Sequence, residues 1–195
     1  MTPYIITSQH LTAIAGKATP LMPGLAEWIN KSCPLYDIDT AHEYCHFLAQ
    51  ACHETDHFKT LREYASGKEY EGRIDLGNTK PGDGVKFKGR GIFQTTGRAN
   101  YLQLGIKKGR RDLFINSPEL LEQPEYAVWS ACEYWKTRGL NDVANHADGD
   151  TMKKKYRGNI INVSPVEFIS ITINGGYNGM DERKKYYSIV KSVLI

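Results

Sequence analysis

The sequence predicts an α+β fold that is predominantly α-helical with a small β region, and three observations carry that reading. Helical stripes with recognisable start signals recur before residue 56 and again after residue 97. Between them the tract Gly67 to Gly97 is rich in glycine, has no helical period and alternates through Val85, Phe87 and Ile92. Finally, 195 residues with 41% hydrophobic and 24% charged content suit one packed domain over 1–195, with no repeat, linker or separate binding module.

The first helix is predicted over Ser8 to Gly16, capped at Ser8, with Leu11, Ile14 and Ala15 as its stripe, followed by a short helix near Pro23 to Asn30. The clearest element starts at Thr40. Thr40 and Glu43 make a capping box, and Ala41, Tyr44, Cys45, Leu48 and Cys52 keep the spacing of one buried stripe to about Thr55. A second stripe, Phe47 and Ala51, leads to Glu54 near the helix C-terminus. The glycine-rich tract reads as loop plus a hairpin or three-stranded sheet. Helices resume over Arg98 to Leu104, from Ser117-Pro118, and over Glu125 to Thr137. The capping box Ser164-Pro165-Val166-Glu167 opens another that Gly175 and Gly176 end, and a last helix covers Asp181 to Val193.

The formal charge of +3 comes with basic clusters at Lys107 to Arg111, Lys153 to Lys155, and Lys184-Lys185. These read as solvated faces, and none is interleaved with aromatics in a nucleic-acid motif, so no nucleic-acid partner is expected. Cys33, Cys45, Cys52 and Cys132 are too scattered for a disulfide scaffold, form no CxxC pair, and read as core thiols. Met1 to Gly24 has no basic region followed by a long apolar run, so neither a secretory signal nor stable membrane insertion is expected.

Two HExxH copies stand in the central helix region, His42-Glu43-Tyr44-Cys45-His46 and His53-Glu54-Thr55-Asp56-His57. Histidines four apart on a helix can hold zinc with the Glu as general base, which makes a zinc-dependent peptidase an alternative reading. Neither copy extends to HExxHxxGxxH. Glu43 is committed to the Thr40 cap, the helix is expected to fray near His57, and His42 and His46 read as surface or groove-edge imidazoles. No metal or cofactor is therefore expected.

Carboxylates offer a different chemistry. Cleaving a glycosidic bond needs one carboxylic acid to protonate the leaving oxygen and one carboxylate to activate water or attack the sugar. Apolar neighbours and the negative end of the helix dipole both disfavour the ionised form of Glu54, which suits it to the acid role. Glu63 follows nine residues on, where a turn could fold it across a groove, but Glu69, Glu71 and Asp75 lie in the same loop.

Three tracts, in order, carry a family resemblance. Leu48-Ala49-Gln50-Ala51-Cys52-His53-Glu54-Thr55 resembles the helix of family 19 glycoside hydrolases that ends in His-Glu-Thr or His-Glu-Ser. Gly89-Arg90-Gly91-Ile92-Phe93-Gln94-Thr95-Thr96-Gly97-Arg98-Ala99-Asn100-Tyr101 resembles the GRG-x-x-Q-x-T-GR-x-NY segment of the phage and bacterial branch. Asn174-Gly175-Gly176-Tyr177-Asn178-Gly179, trailed by Arg183, resembles the family's Asn-Gly-Gly element. The resemblance implies a lysozyme-like fold and a phage-type endolysin that cuts peptidoglycan glycan strands by an inverting mechanism. It implies Glu54 as acid, Glu63 as base and Thr96 holding the attacking water. Gln94, Asn100, Tyr101 and Asn174 would line the sugar groove, and His53, Arg90 and Arg183 would position or tune the carboxylates. An inverting pair stands roughly 6.5 to 9.5 Å apart. Chitin is the alternative polymer, and a peptidase acting on the wall peptides is the second alternative. A monomer is expected, made in the host bacterial cytoplasm since no secretory signal is visible, and the resemblance implies a holin-type partner for its release to act in the periplasm and cell wall.

Overall fold

The computed structural model describes residues 4–195. Helices α1 (Ser8–Ala15) and α2 (Met22–Ser32) lead to the central helix α3 (Ala41–Glu54). Thr40 and Glu43 close the expected capping box of α3, while the box of α1 is formed by Thr7 with His10, one residue earlier than expected. The reason is local: at Thr7 the backbone is extended, so its side chain can accept from the His10 N–H.

Helix α3 is buried on more than the one stripe the spacing predicts. Every residue from Glu43 to Cys52 is buried, because other helices cover it from several sides. The glycine-rich tract itself contains the short helix α4 (Asp83–Lys86), and after it come α5 (Arg98–Lys107), α6 (Leu113–Asn116), α7 (Pro124–Thr137), α8 (Leu140–Ala144), α9 (Pro165–Asn174) and α10 (Met180–Leu194). Packing of α10 along α3 is the largest helix pairing in the molecule, and α8 and α9 also touch α3. His46 is thereby a core residue at 1% exposure, its ring stacked on Tyr187 with centroids 4.3 Å apart. This corrects the surface or groove-edge reading of His46. All four cysteines are buried free thiols.

The β region exists but lies elsewhere. Strands β1 (Met152–Tyr156) and β2 (Asn159–Val163) form an antiparallel hairpin, with Tyr156 paired to Asn159 beside the turn. Arg157 and Gly158 both have positive φ, as a tight hairpin turn requires. Lys153 and Lys155 point to solvent while Met152, Lys154 and Tyr156 are partly buried, so the lysine run conceals a two-residue period.

The tract Gly67 to Gly97 holds only single bridges, Arg62 to Arg90 and Arg90 to Thr95, in place of the expected sheet. Side chains clamp its backbone instead. The Glu71 carboxylate accepts from the N–H groups of Gly82 and Gly84 at 2.6 and 2.8 Å, and Asn78 bonds Tyr70 O and Arg98 N. Ser117-Pro118 opens a short 3₁₀ segment, Pro118–Glu122, rather than an α-helix. Among the described residues, no helix is long and apolar enough to cross a membrane.

Candidate active site

Glu54 is the last residue of α3, and the chain turns sharply after it. Asp56, His57 and Phe58 all have positive φ, at 48°, 64° and 59°. Three consecutive non-glycine residues in this region cost of order 1 kcal/mol each and persist only when neighbours fix them. Thr55 Oγ1 donates to Ala51 O at 2.6 Å and accepts from Phe58 N at 3.0 Å, while His57 N donates to Cys52 O at 2.8 Å. Asp56 accepts from the Tyr64 hydroxyl at 2.7 Å and from Lys59 at 3.1 Å, and bonds to Tyr64, Lys59 and His57 hold its carboxyl down at about 2.

The Tyr64 bond ties the turn after Glu54 to the segment that carries Glu63. That segment is in turn stitched to the glycine-rich tract: Glu63 N donates to Gly89 O at 3.0 Å, and Gly91 N to Leu61 O at 2.9 Å. Glu63 Oε2 accepts from the Tyr70 hydroxyl at 2.9 Å. Burial and this bond push Tyr70 up to about 12, so it stays a donor. Glu63 Oε1 is buried without a hydrogen-bond partner. The rival carboxylates are otherwise engaged or open to solvent. Glu71 holds the Gly82 and Gly84 amides, Asp75 pairs with Arg73 at 2.6 Å, and Glu69 is exposed.

Gly89 lies under this group. A Cβ there would meet Gln94 Oε1 at 2.8 Å and Glu63 Oε2 at 3.1 Å, which places the Gln94 and Glu63 side chains over the same glycine. Gln94 has φ 50° and donates from Nε2 to Gly91 O at 2.9 Å. Thr96 Oγ1 donates to Gln94 O at 2.9 Å, and Asn100 Nδ2 to Thr96 O at 2.7 Å. Glu63, Gln94, Thr96 and Asn100 thus form one connected set.

A second set surrounds Glu54. Arg183, at 1% exposure, donates to Glu54 Oε1 and to Gln50 Oε1, and Gln50 donates to Ser170 Oγ at 3.0 Å. Glu54 is therefore ion-paired, in contrast to the apolar setting expected for it. His53 Nδ1 lies 3.1 Å from Glu182 Oε2 and its ring lies against Gly179, where a Cβ would collide with it. Burial, and then the Arg183 charge, lower the His53 pKa. Asn174 braces the loop that delivers Gly179, donating to Asn178 O at 3.0 Å.

Tyr101, expected in the groove, and Arg90, expected to tune the carboxylates, are both scaffold. Tyr101 is 0% exposed, donates to Lys88 O at 2.6 Å and accepts from Arg90 at 3.0 Å, so it cannot line a groove. Arg90 is spent on Glu122 at 2.7 Å and Lys86 O at 2.9 Å and touches neither carboxylate. Their role is to hold the Lys86 to Thr95 loop from beneath. Gln50, Tyr70 and Glu182 were missed. Gln50 shares a helix face with Glu54 at i, i+4, a signal that was available, whereas Tyr70 and Glu182 reach the site only through the fold.

The HExxH residues are also accounted for. Glu43 caps α3 and accepts from Asn145 at 2.8 Å, His46 stacks in the core, and His57 bonds Tyr186 through Nε2. Neither histidine pair presents two free ring nitrogens on one open helix face.

No family model matches the chain. Chitinase C from Streptomyces griseus superposes with a TM-score of 0.65 at 16% identity, over 100% of this chain and 94% of that one. The fold is that of the family 19 chitinases. A further bacterial family 19 chitinase superposes with the same TM-score of 0.65 and 16% identity, over 98% of this chain and 95% of the other. In sequence, this family 19 fold is 31% identical over 125 residues to a glycosyl hydrolase family 19 domain-containing protein of Haemophilus influenzae. That match takes in 64% of this chain, which spans about half of that relative, 51% of its length.

Proposed function

We propose that this chain is a glycoside hydrolase of the endolysin type that cleaves β-1,4 bonds of peptidoglycan with inversion, Glu54 serving as acid and Glu63 as base. The observation that carries the reading is the contrast between the two carboxylates. Glu63 has one oxygen anchored by Tyr70 and the other buried with no protein partner, the arrangement of an acceptor that a water or substrate hydroxyl satisfies. Thr96, two residues beyond Gln94, supplies a hydroxyl able to orient that water. Glu54 has Oε1 committed to Arg183, and its Oε2 has no hydrogen bond among the described residues, leaving it for the leaving oxygen.

The family 19 relative and the family 19 fold support a glycosidase. Chitin is the second polymer, favoured by the chitinases that share the fold. One observation favours exchanged roles: Glu54 is the ion-paired carboxylate, while Glu63 is the one with a buried oxygen left open.

Substrates with good leaving groups separate the roles. E54Q is expected to lose turnover of glycan strands but keep it on an aryl glycoside whose leaving group needs no proton. E63A is expected to regain activity with azide, giving the inverted glycosyl azide. The opposite pattern exchanges the roles, and full activity of both variants on peptidoglycan sinks the two-carboxylate mechanism.

A further inference from the structure

Beside the Thr96 segment a cavity of about 200 Å³ opens between the Thr95 to Asn100 stretch and the facing parts of α5 and α7. It shares Asn100 with the connected set around Glu63, and Thr95 lies between two members of that set, Gln94 and Thr96. Its charged lining is Lys107, Glu133 and Arg138. Lys107 and Glu133 neutralise each other at 2.7 Å, and Lys107 also donates to Thr137 at 2.9 Å. Arg138 has no carboxylate within 4.0 Å among the described residues. One net positive charge therefore faces the cavity.

That charge is held in place. The Arg138 guanidinium stacks 4.7 Å from the Tyr134 ring centre. Tyr134 is itself fixed, its hydroxyl donating to Thr172 O at 2.8 Å and its ring packing on Phe93 at 5.8 Å. A guanidinium on a fixed ring presents a planar fork that matches a carboxylate with little ordering left to do.

We propose that Arg138 binds a carboxylate of the lactyl-peptide substituent of peptidoglycan, in the cavity beside Thr95 and Asn100, and so favours that polymer over unsubstituted N-acetylglucosamine chains. The inference rests on the glycosidase reading above and assigns its selectivity. A sugar strand lying past Thr96 and Asn100 would run beside this cavity, whose lining includes Arg138, a cation with no carboxylate partner among the described residues. Chitin has no such group and gains nothing from Arg138.

The test measures binding without turnover. In the E54Q background, affinities for soluble peptidoglycan fragments carrying their peptides and for chitin oligosaccharides of equal length are compared with and without R138A. R138A is expected to weaken peptidoglycan fragments about tenfold, the size of one charge-assisted hydrogen bond, and to leave chitin oligosaccharides unchanged. R138K should fall between. Arg138 also follows α7, where a cation interacts favourably with the helix dipole. A purely structural role there predicts equal weakening of both ligands and a lower melting temperature. That result, or no change for either ligand, overturns the inference. Reducing ends from both polymers are measured in parallel with the wild type. Their absence overturns the glycosidase reading, whereas intact turnover without the binding difference overturns this inference alone.

Discussion

Arg183 shows how much one residue can decide. Its guanidinium is shared between Gln50 and Glu54, so α10 is joined to the final turns of α3 by a pair that is nearly sealed from water, with side-chain exposures of 2% and 17%. Removing the cation leaves a buried carboxylate uncompensated, which costs about 3 kcal/mol or more. R183M is therefore expected to lower the urea midpoint strongly, and E54Q in the same chain to restore part of the loss. Additive losses in the double variant would show that the two groups do not act as a pair. At this scale most of the residues that the motifs single out are ones the fold also brings together. Glu54, Glu63, Gln94, Thr96 and Asn174 all stand in two connected sets. Tyr101, in the same motif, is fully buried, because a motif records which residues recur together and is silent on which side of a loop each one faces.

At the scale of elements, the site depends on the tight turn after α3 and on the glycine-rich loop that meets it. Gly89 and Gly84 separate site from scaffold. A Cβ at Gly89 meets only the ends of the Gln94 and Glu63 side chains, at 2.8 and 3.1 Å, whereas one at Gly84 meets backbone, Glu71 N at 2.5 Å and Gly67 O at 2.7 Å. G89A is expected to displace the two side chains and cut kcat at a smaller cost in stability than G84A, because its Cβ meets side-chain ends rather than backbone. G84A should cost about 1–3 kcal/mol through backbone shifts. Thermal melts and rates of reducing-end release check both, and an active G89A enzyme would dissociate Gln94 from catalysis. Helix starts were legible here because a capping box needs only residues three apart, and the Thr40 and Ser164 boxes form as expected. The hairpin over Met152–Val163 was not, since its lysines mask the alternation.

For the whole molecule, burial of α3 links stability to pH through His46. Burial is the main force that lowers this imidazole to about 3, with Asp148 opposing and His42 and Lys191 adding to it. Both ring nitrogens lack partners. A histidine depressed in the folded state takes up its proton more readily when unfolded. Stability is then fully present above about pH 6.5 and declines as pH falls toward 3, by up to about 1.4 kcal/mol per pH unit. Melting curves between pH 7 and pH 4 should show this slope, and H46F should flatten it. An unchanged slope would assign the effect to other groups. What the sequence determined by itself was everything that short-range chemistry controls: the helix starts at Thr40 and Ser164, the glycine stop after Asn174, and the residue sets that meet in motifs. Only the tertiary structure decided that α3 is enclosed, that Glu54 has an ion-pair partner 129 residues away, and that the β region lies at Met152–Val163. The physical reason is that caps and turns are settled among neighbours a few residues apart, while burial and charge are set by whatever the rest of the chain brings alongside.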